Sequence, residues 1–195
     1  GHDWQFLAGF SLGGNFALRV AARAGDAGLR LQQTVAVCPV VDPANTMDAL
    51  EQGWWLYEKY FVRKWKRSLK RKLDFYPDLG YRQHLLELDG LRAMNEYFVP
   101  HHTPFPDVDT YFHNYSLLNG ALDTLETPAH IIATQDDPII LAEDMARLPA
   151  HDWLSLEIKP FGGHCGFVSN YRLDSWLDQR LIEVINLRRY NQAAQ

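Results

Sequence analysis

Apolar and polar positions along this chain fall into two periodicities, and the switches between them mark its elements. From Trp4 to Phe10 the residues are mostly apolar, as in a short parallel strand covered on both faces. Leu12, Phe16, Val20 and Ala24 then recur every four residues, with Arg19 and Arg23 off that stripe. This predicts a helix with an apolar face, stopped by Gly25 and Gly28. The nearly continuous apolar run Thr34 to Val41, ending at Asp42-Pro43, predicts a second buried strand. Strand, helix, strand is a βαβ unit and favours an α/β fold with a parallel sheet.

The pattern changes between about Ala44 and Tyr115, where no strand signal occurs. Tyr57, Phe61, Trp65, Leu69 and Leu73 stand at successive four-residue steps within Trp54 to Leu73. Lys59, Arg63, Lys64, Lys66, Arg67, Lys70, Arg71 and Lys72 surround them, which makes this a basic amphipathic helix. Val99 to Asp109 carries Pro100, Pro104, Pro106 and the pair His101-His102, and it predicts a loop because proline cannot continue a helical ladder. Regular alternation returns with a strand at Ala129 to Thr134, a helix at Leu141 to Leu148 and a strand at Trp153 to Ile158. A last amphipathic helix spans Tyr171 to Arg189, with Leu173, Trp176, Leu177, Leu181, Val184 and Leu187 on its apolar face and Arg188-Arg189 in a basic final turn.

Composition narrows the classes. A 195-residue chain that is 47% hydrophobic can bury a substantial core. A net charge of −5 excludes a general nucleic-acid binder, which carries a basic balance or a dominant basic face. Cys38 and Cys165 are too few for a disulfide scaffold and show no metal-ligand spacing, so free thiols are expected. His2, His84, His101, His102, His113, His130 and His151 also lack ligand spacing, so no metal is expected. No apolar run approaches the roughly 20 residues that span a bilayer, and the chain reads as soluble and cytoplasmic. It opens at Gly1 without a methionine and reads as a fragment, so a missing signal peptide says nothing about the full-length protein.

Candidate chemistry begins at Gly9-Phe10-Ser11-Leu12-Gly13, a G-x-S-x-G pattern between the first strand and the first helix. Small residues on either side of the serine permit a sharp turn that lifts Ser11 out of the sheet and aims the Leu12 backbone N–H at a developing oxyanion. Asp136-Asp137-Pro138 follows the Ala129 to Thr134 strand, and Gly162-Gly163-His164-Cys165-Gly166 follows the Trp153 to Ile158 strand. Loops after parallel strands collect along one sheet edge, so serine, acid and histidine can converge there. His164 would take and return the Ser11 proton while one aspartate orients the imidazole. Neighbouring side chains in extended backbone point apart, so only one of Asp136 and Asp137 is expected at the imidazole, the other capping the next helix or facing solvent. The glycines beside His164 suggest a mobile, uncrowded loop. Cys165 reads as a packing residue.

The elbow with Gly14-Asn15, the Asp136-Asp137-Pro138 and Gly163-to-Phe167 elements and the Tyr111 to Ser116 region together resemble the YheT-type, ABHD-like branch of the α/β-hydrolase superfamily. The resemblance extends over nearly the whole chain. It implies the C-terminal part of an α/β-hydrolase fold, with a mostly parallel sheet, helices on both faces and a helical lid insertion. Residues 1–43 and 116–195 would form the hydrolase core and residues 44–115 the lid. It also implies carboxylesterase or lipase action on a small-molecule or lipid acyl ester, without a cofactor, with Ser11, Asp137 and His164 matching the triad and Asp136 as runner-up acid. Thioesterase or amidase action would use the same triad, and a non-catalytic ligand-binding protein on this scaffold is the alternative class. The basic helix near Lys59 to Lys72 suits weak contact with an anionic membrane, its plainer role being a solvated face. In this family the first four strands and the second oxyanion donor precede the nucleophile, so the isolated polypeptide is expected to be poorly active or unstable.

Overall fold

A computed structural model of the chain describes residues 5 to 193, with side chains through Asn186. Its elements are β1 (Phe6–Phe10), α1 (Leu12–Ala22), β2 (Gln33–Val37), α2 (Pro43–Gln52), α3 (Trp55–Phe75), a 3₁₀ turn (Pro77–Leu79), α4 (Arg82–Glu87), α5 (Leu91–His102), α6 (Val108–Tyr115), β3 (Ala129–Thr134), α7 (Ala142–Ala146), β4 (Leu154–Lys159) and α8 (Trp176–Ala193). His2, Trp4 and the side chains of Leu187, Arg188 and Arg189 lie outside the described residues. The chain divides into two compact units, one running to Asp42 and resuming at Tyr115, the other Pro43–Asn114.

The first unit is built on a parallel sheet in the order β1-β2-β3-β4. All five residues of β2 are buried, which requires cover on both faces and explains the nearly continuous apolar run that begins at Thr34. Val35, Val37 and Ile132 share one face of the sheet and pack with Phe167 and with Leu177 and Val184 of α8. The register pairs Phe10 with Val37 and Val37 with Ile132, so the first three strands end nearly level and their following loops open on one edge.

Two sequence expectations change here. Of the stripe, Leu12, Phe16 and Val20 do not face the core, being 47%, 42% and 42% exposed, whereas Ala24, just past α1, is buried. α1 instead buries Gly14, Asn15, Ala17, Leu18, Ala21 and Ala22. The small side chains let the helix approach β1 and β2 closely, and close approach outweighs the larger apolar area of the other face. The last helix begins at Trp176 rather than Tyr171. Asn170 Oδ1 accepts the backbone N–H groups of Arg172 and Asp174 at 2.9 and 3.3 Å, a local side-chain turn that competes with helix, and Leu173 sits at φ 63°.

The second unit is helical. Leu73, Tyr81, Leu85, Met94 and Phe98 form its core, and Val62, Trp65 and Leu69 pack on it from the apolar stripe of α3. Arg92 on α5 binds both carboxylate oxygens of Glu51 at 2.7 to 3.1 Å and Asp48 at 2.7 Å, tying α5 to α2. A groove of about 1020 Å³ runs along α3 beside Lys59, Arg63, Lys66, Arg67, Lys70 and Arg71. Contrary to the loop expected over Val99 to Asp109, α5 continues through Pro100 to His102. Pro100 lies on the exposed side near the helix end, where the Glu96 carbonyl that loses its N–H partner belongs to an exposed residue. His84 and His101 stack on Tyr97, and His102 packs against Tyr81, so these histidines serve aromatic packing.

Candidate active site

Ser11 stands at the junction of β1 and α1 with φ 52° and ψ −124°, a backbone conformation costing on the order of 1 to 3 kcal/mol for a residue with a Cβ. The junction is held from both sides. The Ser11 N–H donates to the Val37 carbonyl at 2.8 Å, and the Ser11 carbonyl accepts from Gly14 and Asn15 at 2.9 and 3.2 Å, opening α1. A Cβ on Gly9 would lie 2.1 Å from the Gly13 carbonyl oxygen, so glycine is obligatory there. The second close packer is Gly14, whose Cβ would meet Pro39 at 3.1 Å, whereas Gly13 faces open space. Leu12 opens α1, so its N–H belongs to the turn that lacks intrahelical partners. Buried Asn15 donates to the carbonyls of Val40 and Tyr115, each at 2.8 Å, fixing α1 to the chain beyond β2.

The histidine and aspartate loops reach the same point. His164 Nε2 lies 2.9 Å from Ser11 Oγ, and its Nδ1 lies 2.9 Å from Asp137 Oδ2. A carboxylate can only accept, so Nδ1 carries the proton and Nε2 is free to accept from the serine hydroxyl. Asp137 is almost wholly enclosed, its side chain 1% exposed. Its other oxygen accepts the N–H groups of Ile139 and Ile140 at 2.9 Å each. Three hydrogen bonds thus fix the carboxylate, and the turn expected at Asp-Pro and the partner expected for the imidazole are one residue. Burial opposes the imidazolium form of His164, but the hydrogen bond and negative charge of Asp137 outweigh it and raise the His164 pKa above the ordinary histidine value.

The loop around His164 is tightly packed, not uncrowded. A Cβ on Gly162 would stand 2.6 Å from the Thr134 methyl and 2.9 Å from the Phe167 ring, and Gly163, Cys165 and Phe167 all have positive φ. The Gly162 carbonyl accepts from Gly166 and Phe167 at 3.2 and 2.9 Å, closing a turn about the histidine. Asp136 neither caps a helix nor merely faces solvent. Its Oδ1 accepts the Gly163 N–H at 2.8 Å, and that bond holds its carboxyl below the usual range. Thr134 Oγ1 adds a bond to the Gly163 carbonyl at 3.1 Å. Both aspartates therefore serve the histidine loop, Asp137 through the ring and Asp136 through the backbone. Only Asp137 meets the imidazole, and Asp136 binds the backbone of the same loop, the chain having left the strand for a turn after Thr134.

Sequence reasoning did not place Cys38. The register that sets Phe10 beside Val37 puts Cys38, the residue after β2, next to Ser11, the residue after β1. Cys38 is fully buried with φ 43°, and Cys165 packs on the same core. Both are free thiols. Hydrogen bonding to Cys165 and burial push the Cys38 thiol well above its usual range, while the bond from Cys38, followed by the neighbouring His164, lowers Cys165.

No family model matches the chain. Human protein ABHD15 is 27% identical over 134 residues, a match covering 66% of this chain and 28% of that protein. The chain thus spans well under a third of the length of this curated relative. Among solved structures, a membrane phospholipase A described as a bacterial virulence factor superposes with a TM-score of 0.56 at 20% identity, covering 97% of this chain and 59% of that one. The fold is that of the α/β hydrolases. A second member of that fold, mouse alpha/beta hydrolase domain-containing protein 10, matches with a TM-score of 0.51 at 12% identity, covering 95% of this chain and 63% of the mouse chain. Within this fold, the sheet order sets Ser11, Asp137 and His164 in loops that follow strand ends.

Proposed function

We propose that this chain carries the catalytic centre of a serine hydrolase that cleaves carboxylic esters, with Ser11 as nucleophile, His164 as general base and acid, and Asp137 as the residue that orients and charge-stabilises the imidazole. The observation that supports this reading is the unbroken hydrogen-bond chain from Ser11 Oγ through His164 to Asp137, with 2.9 Å at each link. Ser11 Oγ attacks the ester carbonyl as its proton passes to His164 Nε2, and the Leu12 N–H faces the resulting oxyanion. Collapse returns the proton to the leaving alcohol and leaves an acyl group on Ser11. Water, deprotonated by the same imidazole, then releases the acid.

The substrate class in this reading is a small-molecule or lipid acyl ester. Residues 44–115 act as the lid of the α/β-hydrolase core, and the basic face of α3 contacts an anionic lipid surface, which suits a lipid ester. Cofactor chemistry has no step in this mechanism. Reaction with a fluorophosphonate probe tests it: wild type is labelled at Ser11, and Ser11→Ala is not. Absence of serine-dependent labelling would instead favour a ligand-binding role for the scaffold. Esters, thioesters and amides offered to the unlabelled enzyme then separate carboxylesterase from thioesterase or amidase.

A further inference from the structure

Cys38, which follows β2, and Cys165, which follows the proposed general base, have no step in ester cleavage, yet they stand against it. The two sulfur atoms and one ring nitrogen of His164 all lie within 4.8 Å of one another. Around a tetrahedral Zn²⁺, with Zn–S of about 2.3 Å and Zn–N of about 2.0 to 2.1 Å, such donors stand roughly 3.3 to 3.8 Å apart. Shifts of about 1 Å or less therefore bring all three into one ligand shell, and His164 and Cys165 lie in the same short loop. Two sulfurs and an imidazole select soft or borderline cations over Mg²⁺ and Ca²⁺, which take oxygen.

We propose that Cys38 Sγ, Cys165 Sγ and His164 form an inhibitory binding site for a thiophilic divalent cation of the Zn²⁺ class. The cation forms two metal–sulfur bonds and one metal–nitrogen bond, the thiol protons pass to solvent, and nothing is oxidised or reduced. Inhibition follows from the ring's existing partners. Nε2 faces Ser11 and Nδ1 faces Asp137, so a metal on either nitrogen replaces one of the two contacts that make His164 a base. Binding is independent of the serine-hydrolase reading, and only its inhibitory consequence rests on that reading. The sequence hides the site, because its two cysteines follow different strands and meet only through sheet register.

The test titrates the whole protein that carries this chain with Co²⁺ and Cd²⁺ while following thiolate-to-metal charge-transfer absorption, with Mg²⁺ as control. The expected result is one metal per chain, with affinity falling roughly tenfold or more in Cys38→Ala and in Cys165→Ala. In wild type, which needs no variant to fold, Zn²⁺ should protect Cys165 from iodoacetamide as mapped by mass spectrometry. Zn²⁺ should also suppress fluorophosphonate labelling of Ser11 at least tenfold, reversibly with a chelator. The plus-to-minus-metal ratio should return to within about twofold of unity when both cysteines are alanine. No charge-transfer band and no thiol protection overturns the site. A band without suppression of labelling overturns its inhibitory role. Wild type that binds metal but never labels overturns the hydrolase reading and the inhibition together, while absorption and alkylation still establish the metal site.

Discussion

At the scale of single residues, the site depends on which oxygen each aspartate turns to which donor. Asp137 meets the imidazole, whereas Asp136 meets the Gly163 backbone. Asp137→Asn should therefore lower the rate of fluorophosphonate labelling by roughly 10³ to 10⁴, through loss of the orienting carboxylate. The same substitution should move the pH profile. In the proposed mechanism neutral His164 is the base, and Asp137 raises its pKa above the ordinary 6.5, so wild-type labelling should rise with pH through a midpoint above that value. In Asp137→Asn the midpoint should fall, and in Asp136→Asn it should not. Equal midpoints for wild type and Asp137→Asn, read from labelling rates across pH, would contradict the assigned role. Ser, Asp and His were all readable from their places after predicted strands. The part played by Asp136 was not, because its bond to the Gly163 backbone joins two loops 27 residues apart.

Among the elements, α1 and α5 show where periodicity misleads. α1 presents its larger apolar residues outward because its small face fits the sheet, and α5 passes Pro100 because the loss falls on its exposed side. α3 keeps the pattern read from the sequence, with half-buried Tyr57, Phe61, Trp65 and Leu69 leading to buried Leu73 and cations around them. Trp54, Trp55 and Tyr60 are exposed near its start, so cations and interfacial aromatics coexist on one helix. If α3 meets an anionic lipid surface, each cation near that surface contributes about 1 kcal/mol. Replacing exposed Arg63, Arg67 and Lys70 by alanine should then weaken co-sedimentation with phosphatidylglycerol vesicles roughly 10²-fold, and raised salt should weaken wild type similarly. Equal binding to neutral phosphatidylcholine vesicles would remove the electrostatic basis. Among the described residues no helix is long and apolar enough to cross a membrane.

For the molecule as a whole, the sheet unit is tied across elements by charges that no local pattern announces. Glu157 on β4 accepts from Arg180 of α8 at 2.9 Å, pairs with Lys159 at 3.1 Å and lies 3.1 Å from His130 of β3. Burial opposes its charge, but these donors outweigh it and hold the carboxyl below its usual range. A carboxyl with a lowered folded pKa stabilises the fold above its unfolded value near 4.5 and loses that contribution as pH falls through the folded one. Glu157→Gln should thus cost about 1 kcal/mol near neutrality, and the gap to wild type should close as pH drops below the carboxylate range, as thermal unfolding against pH would report. A gap that is constant with pH would mean that packing, not charge, is responsible. The sequence by itself determined the α/β class, the strand at Ala129–Thr134, the helical stretch between the two sheet segments and the identity of Ser11, Asp137 and His164 as candidates. Periodicity and the rule that strand-end loops share an edge are properties of local chain geometry. Only the tertiary structure decided which face of α1 is buried, how Asp136 supports the histidine loop and that Cys38 stands beside Cys165. Each of these depends on contacts between residues far apart in the chain, which packing and strand register select and no local window contains.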